Sequence, residues 1–176
     1  MIYDLNLLFS NNQAITVTAP STNVIDLQGG LAINKGVGTV FGEDIGRGDG
    51  VAIPKVAAFV TTAFTAGGAA TLQVQLQGAV DTGAGEPAGT PSTYVTYAET
   101  PAAGLALANL SLGKKFAALD WPQVQPDSSA LLPRYLRLNY IVATGPMTAG
   151  AVFAGLVLQR ADNNVGDYPG GFTVGP

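Results

Sequence analysis

The sequence predicts an all-β fold: a jelly-roll β-sandwich of about eight short strands with long Gly-rich loops. Three observations lead there. Apolar and polar side chains alternate with period two in several segments. Gly (23) and Pro (11) are frequent, which favours turns and leaves little room for long helices. Turn clusters recur between the alternating segments, among them Ala19-Pro20-Ser21, Gly67-Gly68, Pro126-Asp127-Ser128-Ser129 and Thr144-Gly145-Pro146.

In chain order, the first expected strands are Gln13 to Thr18, Asn23 to Leu27 and Lys55 to Thr62. The clearest is Ala70 to Gln77. Leu72, Val74 and Leu76 alternate there with Thr71, Gln73, Gln75 and Gln77, so one face is buried and the other is amide and hydroxyl. Tyr94 to Ala98 and Lys114 to Leu119 follow. Arg134 to Val142 repeats the alternation, with Leu136, Leu138, Tyr140 and Val142 on one side and Tyr135, Arg137, Asn139 and Ile141 on the other. Thr148 to Arg160 is apolar on both parities: Val152, Leu156 and Leu158 on one face, Phe153 and Val157 on the other. A strand of that kind is central in a sandwich or covered by a neighbouring subunit. Its alanines also suit a helix, but Gly150, Gly155 and the β-branched residues favour a strand.

Gly29 to Gly50 carries eight glycines and reads as a long loop. Gly78 to Pro91 reads as a second. The expected organisation is one jelly-roll domain over residues 1–160 and a Gly/Pro-rich tail over 161–176. That tail has no strand period and is either frayed or laid along a partner.

Composition excludes several functions. There is no His, so the Ser-His-Asp triad and the HExxH zinc site are absent. There is no Cys, so neither a disulfide framework nor a thiolate metal site is possible. A net charge of −4 and eight basic residues argue against nucleic-acid binding. No apolar run reaches the ~18 residues of a membrane-spanning helix. The start, Met1-Ile2-Tyr3-Asp4-Leu5-Asn6, has no basic region of the secretory type. Charged residues make up 11% of the chain, which leaves little self-repulsion and favours association.

No motif asks for chemistry. Gly36-Val37-Gly38-Thr39-Val40-Phe41-Gly42 has the wrong spacing for a dinucleotide fingerprint, and no helical pattern follows it. Gly113-Lys114-Lys115 lacks the Ser or Thr of a phosphate-binding loop. Arg47-Gly48-Asp49 reads as a solvated turn. Asp162, Asn164, Gly166 and Asp167 imitate half a calcium loop, but the closing position is Thr173 rather than Glu. Glu43 and Asp44 are adjacent, so on an extended segment they point to opposite sides. Trp121, before Pro122, reads as a residue at the edge of the core or as an interface anchor. No catalytic, cofactor-binding or metal-binding residue is assigned, and no cofactor is expected.

Blocks at both ends of the chain carry a resemblance. They are Met1-Ile2-Tyr3-Asp4, Phe9-Ser10, Gln13-Ala14-Ile15-Thr16 and Ser21-Thr22-Asn23-Val24-Ile25-Asp26-Leu27. Later come Arg134-Tyr135-Leu136-Arg137-Leu138-Asn139-Tyr140, Pro146-Met147-Thr148-Ala149-Gly150 and Ala154-Gly155-Leu156-Val157. In their order and spacing these resemble the jelly-roll capsid cement, or decoration, proteins of tailed bacteriophages, of the Bordetella-phage type. The resemblance implies a non-enzymatic homotrimer on the outer surface of the virion capsid. There it would bridge major capsid proteins of an icosahedral head and resist internal DNA pressure. Two other classes remain open. One is a carbohydrate- or receptor-binding virion module using Tyr94, Tyr97 and Trp121. The other is an enzyme, for example a cupin-like or lyase-like β protein, and the lack of His makes a cupin metal site very hard to build.

Overall fold

The computed structural model describes residues 7–26, 54–79, 94–120 and 135–158. Its strands are β1 (Leu8–Ala14), β2 (Ala19–Pro20), β3 (Ile25–Asp26), β4 (Pro54–Thr65), β5 (Thr71–Ala79), β6 (Val95–Glu99), β7 (Leu105–Ala106), β8 (Lys115–Asp120), β9 (Tyr135–Ala143) and β10 (Ala149–Leu158). A 3₁₀ turn, Leu107–Asn109, follows β7. All strand pairs are antiparallel.

Two sheets result. The first runs β1-β10-β4-β8 and the second β2-β9-β5-β6. Strand β3 also pairs with β9, in line with β2: Ala19–Pro20 lie opposite Tyr140–Asn139, and Ile25–Asp26 opposite Leu136–Tyr135. The two are therefore one interrupted edge strand, and β7 is a short satellite of β5. Counted so, the described residues form a sandwich of eight strands. The chain changes sheet at every step except β5 to β6, which are neighbours. This is the jelly-roll order that the sequence predicts.

Period-two alternation sets the core. From the first sheet come Phe9, Val56, Ala58, Val60, Leu119, Val152, Ala154 and Leu156. From the second come Ile25, Leu72, Val74, Leu76, Leu136, Leu138 and Tyr140. Each fully buried Val or Leu contributes about 1.5–3 kcal/mol relative to exposure.

Three hydroxyls complete ladders where the edge backbone cannot. Pro20 ends β2. The next residue, Ser21, donates its N–H to the Leu138 carbonyl at 2.8 Å, while its Oγ accepts the Leu138 N–H at 3.1 Å and donates to the Asn23 carbonyl at 2.8 Å. Thr18 Oγ1 accepts the Val142 N–H at 3.0 Å. Thr100 Oγ1 accepts the Val74 N–H at 2.9 Å, and the Thr100 N–H returns a bond to the Val74 carbonyl. In each case a side-chain oxygen stands where a neighbouring strand would place a carbonyl.

The structure corrects the expected elements at particular points. The first strand begins at Leu8 and ends at Ala14, rather than spanning Gln13 to Thr18. Its pairing with β10 shifts register twice and Asn12 has φ 53°, so the side chains do not alternate cleanly. Gly78 lies within β5, paired with Leu136 and Val95, and not in a loop. The segment Ala19-Pro20-Ser21 contributes a short ladder as well as a bend. On β9 the outward residues Tyr135 and Arg137 are buried too. The doubly apolar segment is a strand, β10, as expected. The loop over residues 29–50 and the tail over 161–176 lie outside the described residues, as does the segment 80–91 of the second loop.

Gly150 shows why β10 tolerates no side chain at that point. Its φ is +148°, and a Cβ there would stand 2.1 Å from Cδ1 of Phe64, a core ring from β4. Gly150→Ala is expected to lower the unfolding midpoint strongly. Phe64→Leu combined with it should cost less than the two single effects added, because the obstructing ring is gone. A double-mutant cycle in urea checks this. Ser21→Ala should destabilise by about 1–3 kcal/mol by stranding the buried Leu138 N–H, whose hydrogen exchange should accelerate.

Candidate interaction faces

With the inner faces filled, the outward faces of the two sheets carry the remaining information. They differ in chemistry.

On the first sheet the outward positions are Leu8 on β1, Ala57 and Phe59 on β4, and Phe153, Gly155 and Val157 on β10. Phe59 lies directly opposite Phe153, and Ala57 opposite Gly155, which also faces Leu8. Leu8, Ala57 and Gly155 are buried although they point outward. Phe59, Phe153 and Val157 are half-buried. Lys115 on the edge strand β8 faces Phe59 and is exposed. The centre of this face is apolar, and charged positions adjoin it: Lys55 of β4 lies opposite Val157 and Asp120, and Lys115 opposite Phe59.

On the second sheet the outward row of β5 is Thr71, Gln73, Gln75 and Gln77. Its partners on β9 are Asn139, opposite Gln75, and Arg137, opposite Gln77; on β6 they are Glu99, opposite Gln75, and Thr96, opposite Gln77. The side chains form one network. Arg137 Nε donates to Gln77 Oε1 at 3.0 Å. Gln77 Nε2 donates to Gln75 Oε1 at 3.2 Å and to Thr96 Oγ1 at 3.5 Å. Gln75 Nε2 donates to Glu99 Oε2 at 2.8 Å, and Asn139 Nδ2 reaches Gln75 Oε1 at 3.5 Å. The Arg137 guanidinium lies 3.5 Å from the centroid of the Tyr94 ring, a cation–π contact. Burial draws the Arg137 pKa below the ordinary arginine value, and the Tyr94 hydroxyl partly offsets this.

The sheets are tied together by a relay that runs from a buried tyrosine out to the surface. Tyr140 on β9 is fully buried, and its hydroxyl meets Ser10 Oγ on β1 at 2.8 Å. Ser10 Oγ donates to Gln13 Oε1 at 2.7 Å, so the single proton on Ser10 is used and Tyr140 is the donor of its own bond. Gln13 Oε1 also accepts the Thr22 N–H, and Gln13 Nε2 donates to the Pro20 carbonyl, both at 2.8 Å. Burial holds the Tyr140 pKa far above the ordinary tyrosine value, with the Ser10 contact lowering it only in part.

The motifs weighed in the sequence meet varied fates. Gly113-Lys114-Lys115 follows Leu112 in an exposed turn: the Lys114 N–H bonds the Ser111 carbonyl at 3.1 Å and Gly113 takes φ 78°. Tyr94 is the surface on which Arg137 stacks, and Tyr97 is half-buried, its pKa raised by burial. Gly36 to Gly42, Glu43 and Asp44, Arg47-Gly48-Asp49, Trp121 and the Asp162–Asp167 segment lie outside the described residues. Among the described residues no group of three His, Cys, Asp or Glu side chains gathers to hold a metal. Among them, too, no helix is long and apolar enough to cross a membrane. The network of Gln75, Gln77, Asn139 and Arg137 was not anticipated. Alternation places each residue outward, but only the β5–β9 register brings them together.

A protein-family model, Bbp16, matches residues 9–156, from the core residue Phe9 of β1 to Leu156 of β10. No curated protein matches the chain.

The relay has a pH signature. The folded state holds the Tyr140 proton more tightly than the unfolded chain, which releases it near pH ~10. The contribution is therefore unchanged below that pH, and stability is lost as pH rises above it. Tyr140→Phe should flatten this alkaline decline in a series of melts. Ser10→Ala should destabilise at neutral pH by about 1–3 kcal/mol, because it strands the buried tyrosine hydroxyl, while Gln13 keeps Thr22 and Pro20.

Proposed function

The chain belongs to the Bbp16 family of phage proteins, and on that premise we propose that it is a capsid cement, or decoration, protein. In this reading a homotrimer binds the outside of an icosahedral phage head. It bridges major capsid proteins and stabilises the shell. Its work is mechanical, and it is not an enzyme.

The observation that carries the reading beyond the family is the strand β10. It is apolar on both sides, filling the core with Val152, Ala154 and Leu156 and facing outward with Phe153 and Val157. A strand apolar on both sides is central in a sandwich or covered by a neighbouring subunit, and obligate subunits bury such surface in interfaces of about 2,000 Å² or more. Closed cyclic symmetry would satisfy it without open-ended growth. Repetition over a shell would then turn weak single contacts into firm attachment. The complete lack of His and Cys in the sequence supports a structural role over a catalytic one.

The alternative, a carbohydrate- or receptor-binding virion module, draws less support. Sugar binding would ask Tyr94 to offer its ring as a platform, and the guanidinium of Arg137 already lies against that ring.

Light scattering should give a solution mass three times the 17.9 kDa of one chain. Added to expanded heads of its own phage, the protein should raise the temperature at which they release DNA. Val157→Glu places a charge on the outward apolar face at a half-exposed position, so it should leave the single subunit folded and dissociate the trimer. A monomeric wild type that leaves head stability unchanged would refute the reading.

A further inference from the structure

The guanidinium of Arg137 is the least reconciled group in the described structure. It sits on the outward face of the second sheet, yet only 6% of the residue is exposed. Nε is spent on Gln77, and one face of the group lies over Tyr94. Among the described residues, its two terminal nitrogens have no acceptor. An enclosed positive charge without a counter-charge is costly, and native structures rarely leave one so.

We propose that Arg137 is the centre of a carboxylate-binding site, filled on assembly by an acidic side chain of a neighbouring polypeptide. The two terminal nitrogens present parallel N–H groups, which a planar carboxylate matches in bidentate fashion. The surroundings are prepared for this. Gln77 is held by Gln75 and Thr96, and Gln75 is anchored by Glu99, so the Nε bond fixes the plane of the fork. Tyr94 fixes the same plane by stacking. One cation in a network of amides that ends on the Glu99 carboxylate suits a monoanion. Glu99 nearby and the absence of Lys from this described face disfavour a phosphate dianion. Arg and Tyr in an enclosed setting are also the residue types that dominate interface energies. The assignment of the anion to a neighbouring chain rests on the cement reading; the anion site itself does not.

The test has two parts. First, ¹⁵N-labelled wild-type protein is titrated with sodium acetate against sodium chloride at equal ionic strength and pH. The Nε–Hε signal of Arg137 should shift saturably with acetate alone, while those of Arg47, Arg134 and Arg160 serve as internal controls. An Arg137 signal that moves no more than the controls overturns the site. Second, Arg137→Met is compared with wild type. The Met variant also frees Gln77 Oε1 and the Tyr94 ring, so its melt serves only to show that the subunit is folded, and assembly is the readout. Assembly should weaken by about tenfold or more. Loss of trimer mass assigns the carboxylate to a second copy. Loss of head binding with the trimer intact assigns it to the shell protein. Assembly of the Met variant equal to that of wild type overturns the interface role. If wild type neither trimerises nor binds heads, the cement reading fails and the acetate titration alone judges the site.

Discussion

A polar group carried between two sheets leaves its water behind and must find a partner. That constraint organises this sandwich. Tyr140 is the one hydroxyl-bearing member of the described core cluster, and β9, which carries it, is the strand that β2, β3 and β5 all pair with. Its bond to Ser10 reaches across to the first sheet, and Gln13 passes the connection back to Thr22 and Pro20. Strand β1 bends and shifts register over Leu8 to Gln13 while it places Ser10 and Gln13 on that relay. The same need for partners explains why Thr18, Ser21 and Thr100 turn their hydroxyls to β9 and β5. With these oxygens completing the ladders, the edge of the second sheet can be as short as two residues at a time without stranding the backbone of Leu138 or Val142.

Much of the architecture was legible because the long strands obey one rule. Leu72, Val74 and Leu76 alternate without error, and so do Leu136, Leu138 and Tyr140; both sets are core. The doubly apolar β10 was readable as well, since Gly150 and Gly155 interrupt any helical reading. What escaped was whatever period two does not encode. The bulged β1 carries polar residues at successive positions, Ser10 to Gln13, and so looks like a loop until Phe9 is seen in the core. Two-residue ladders such as β2 are too short to leave a pattern. Gly78 reads as a turn residue, but it is a strand position between Leu136 and Val95. Register is a relation between distant segments, so the meeting of Gln77 with Arg137 was invisible in the chain order, although each was correctly placed outward.

The two outward faces give the family membership a physical dimension. One face is apolar at its centre, built from small and aromatic residues with charged positions beside them; the other is a lattice of amides around a stacked cation. A molecule that merely had to remain dispersed would gain little from either. The first is held by packing, where area matters more than direction. The second is directional, and its hydrogen bonds hold the charged group in one plane before any partner arrives. Binding to such a group need not order it first, which lowers the entropic cost of contact.

The margins of both sheets share a further property. Strand β1 slips register twice against β10, β8 slips once against β4, β6 slips once against β5, and the β2–β3 margin is broken in the middle. None offers a long, flat row of unpaired amides onto which a second molecule could zip. For a chain with so few charges, crowded copies would otherwise risk stacking into fibres. Irregular rims of this kind discourage edge-to-edge pairing between copies.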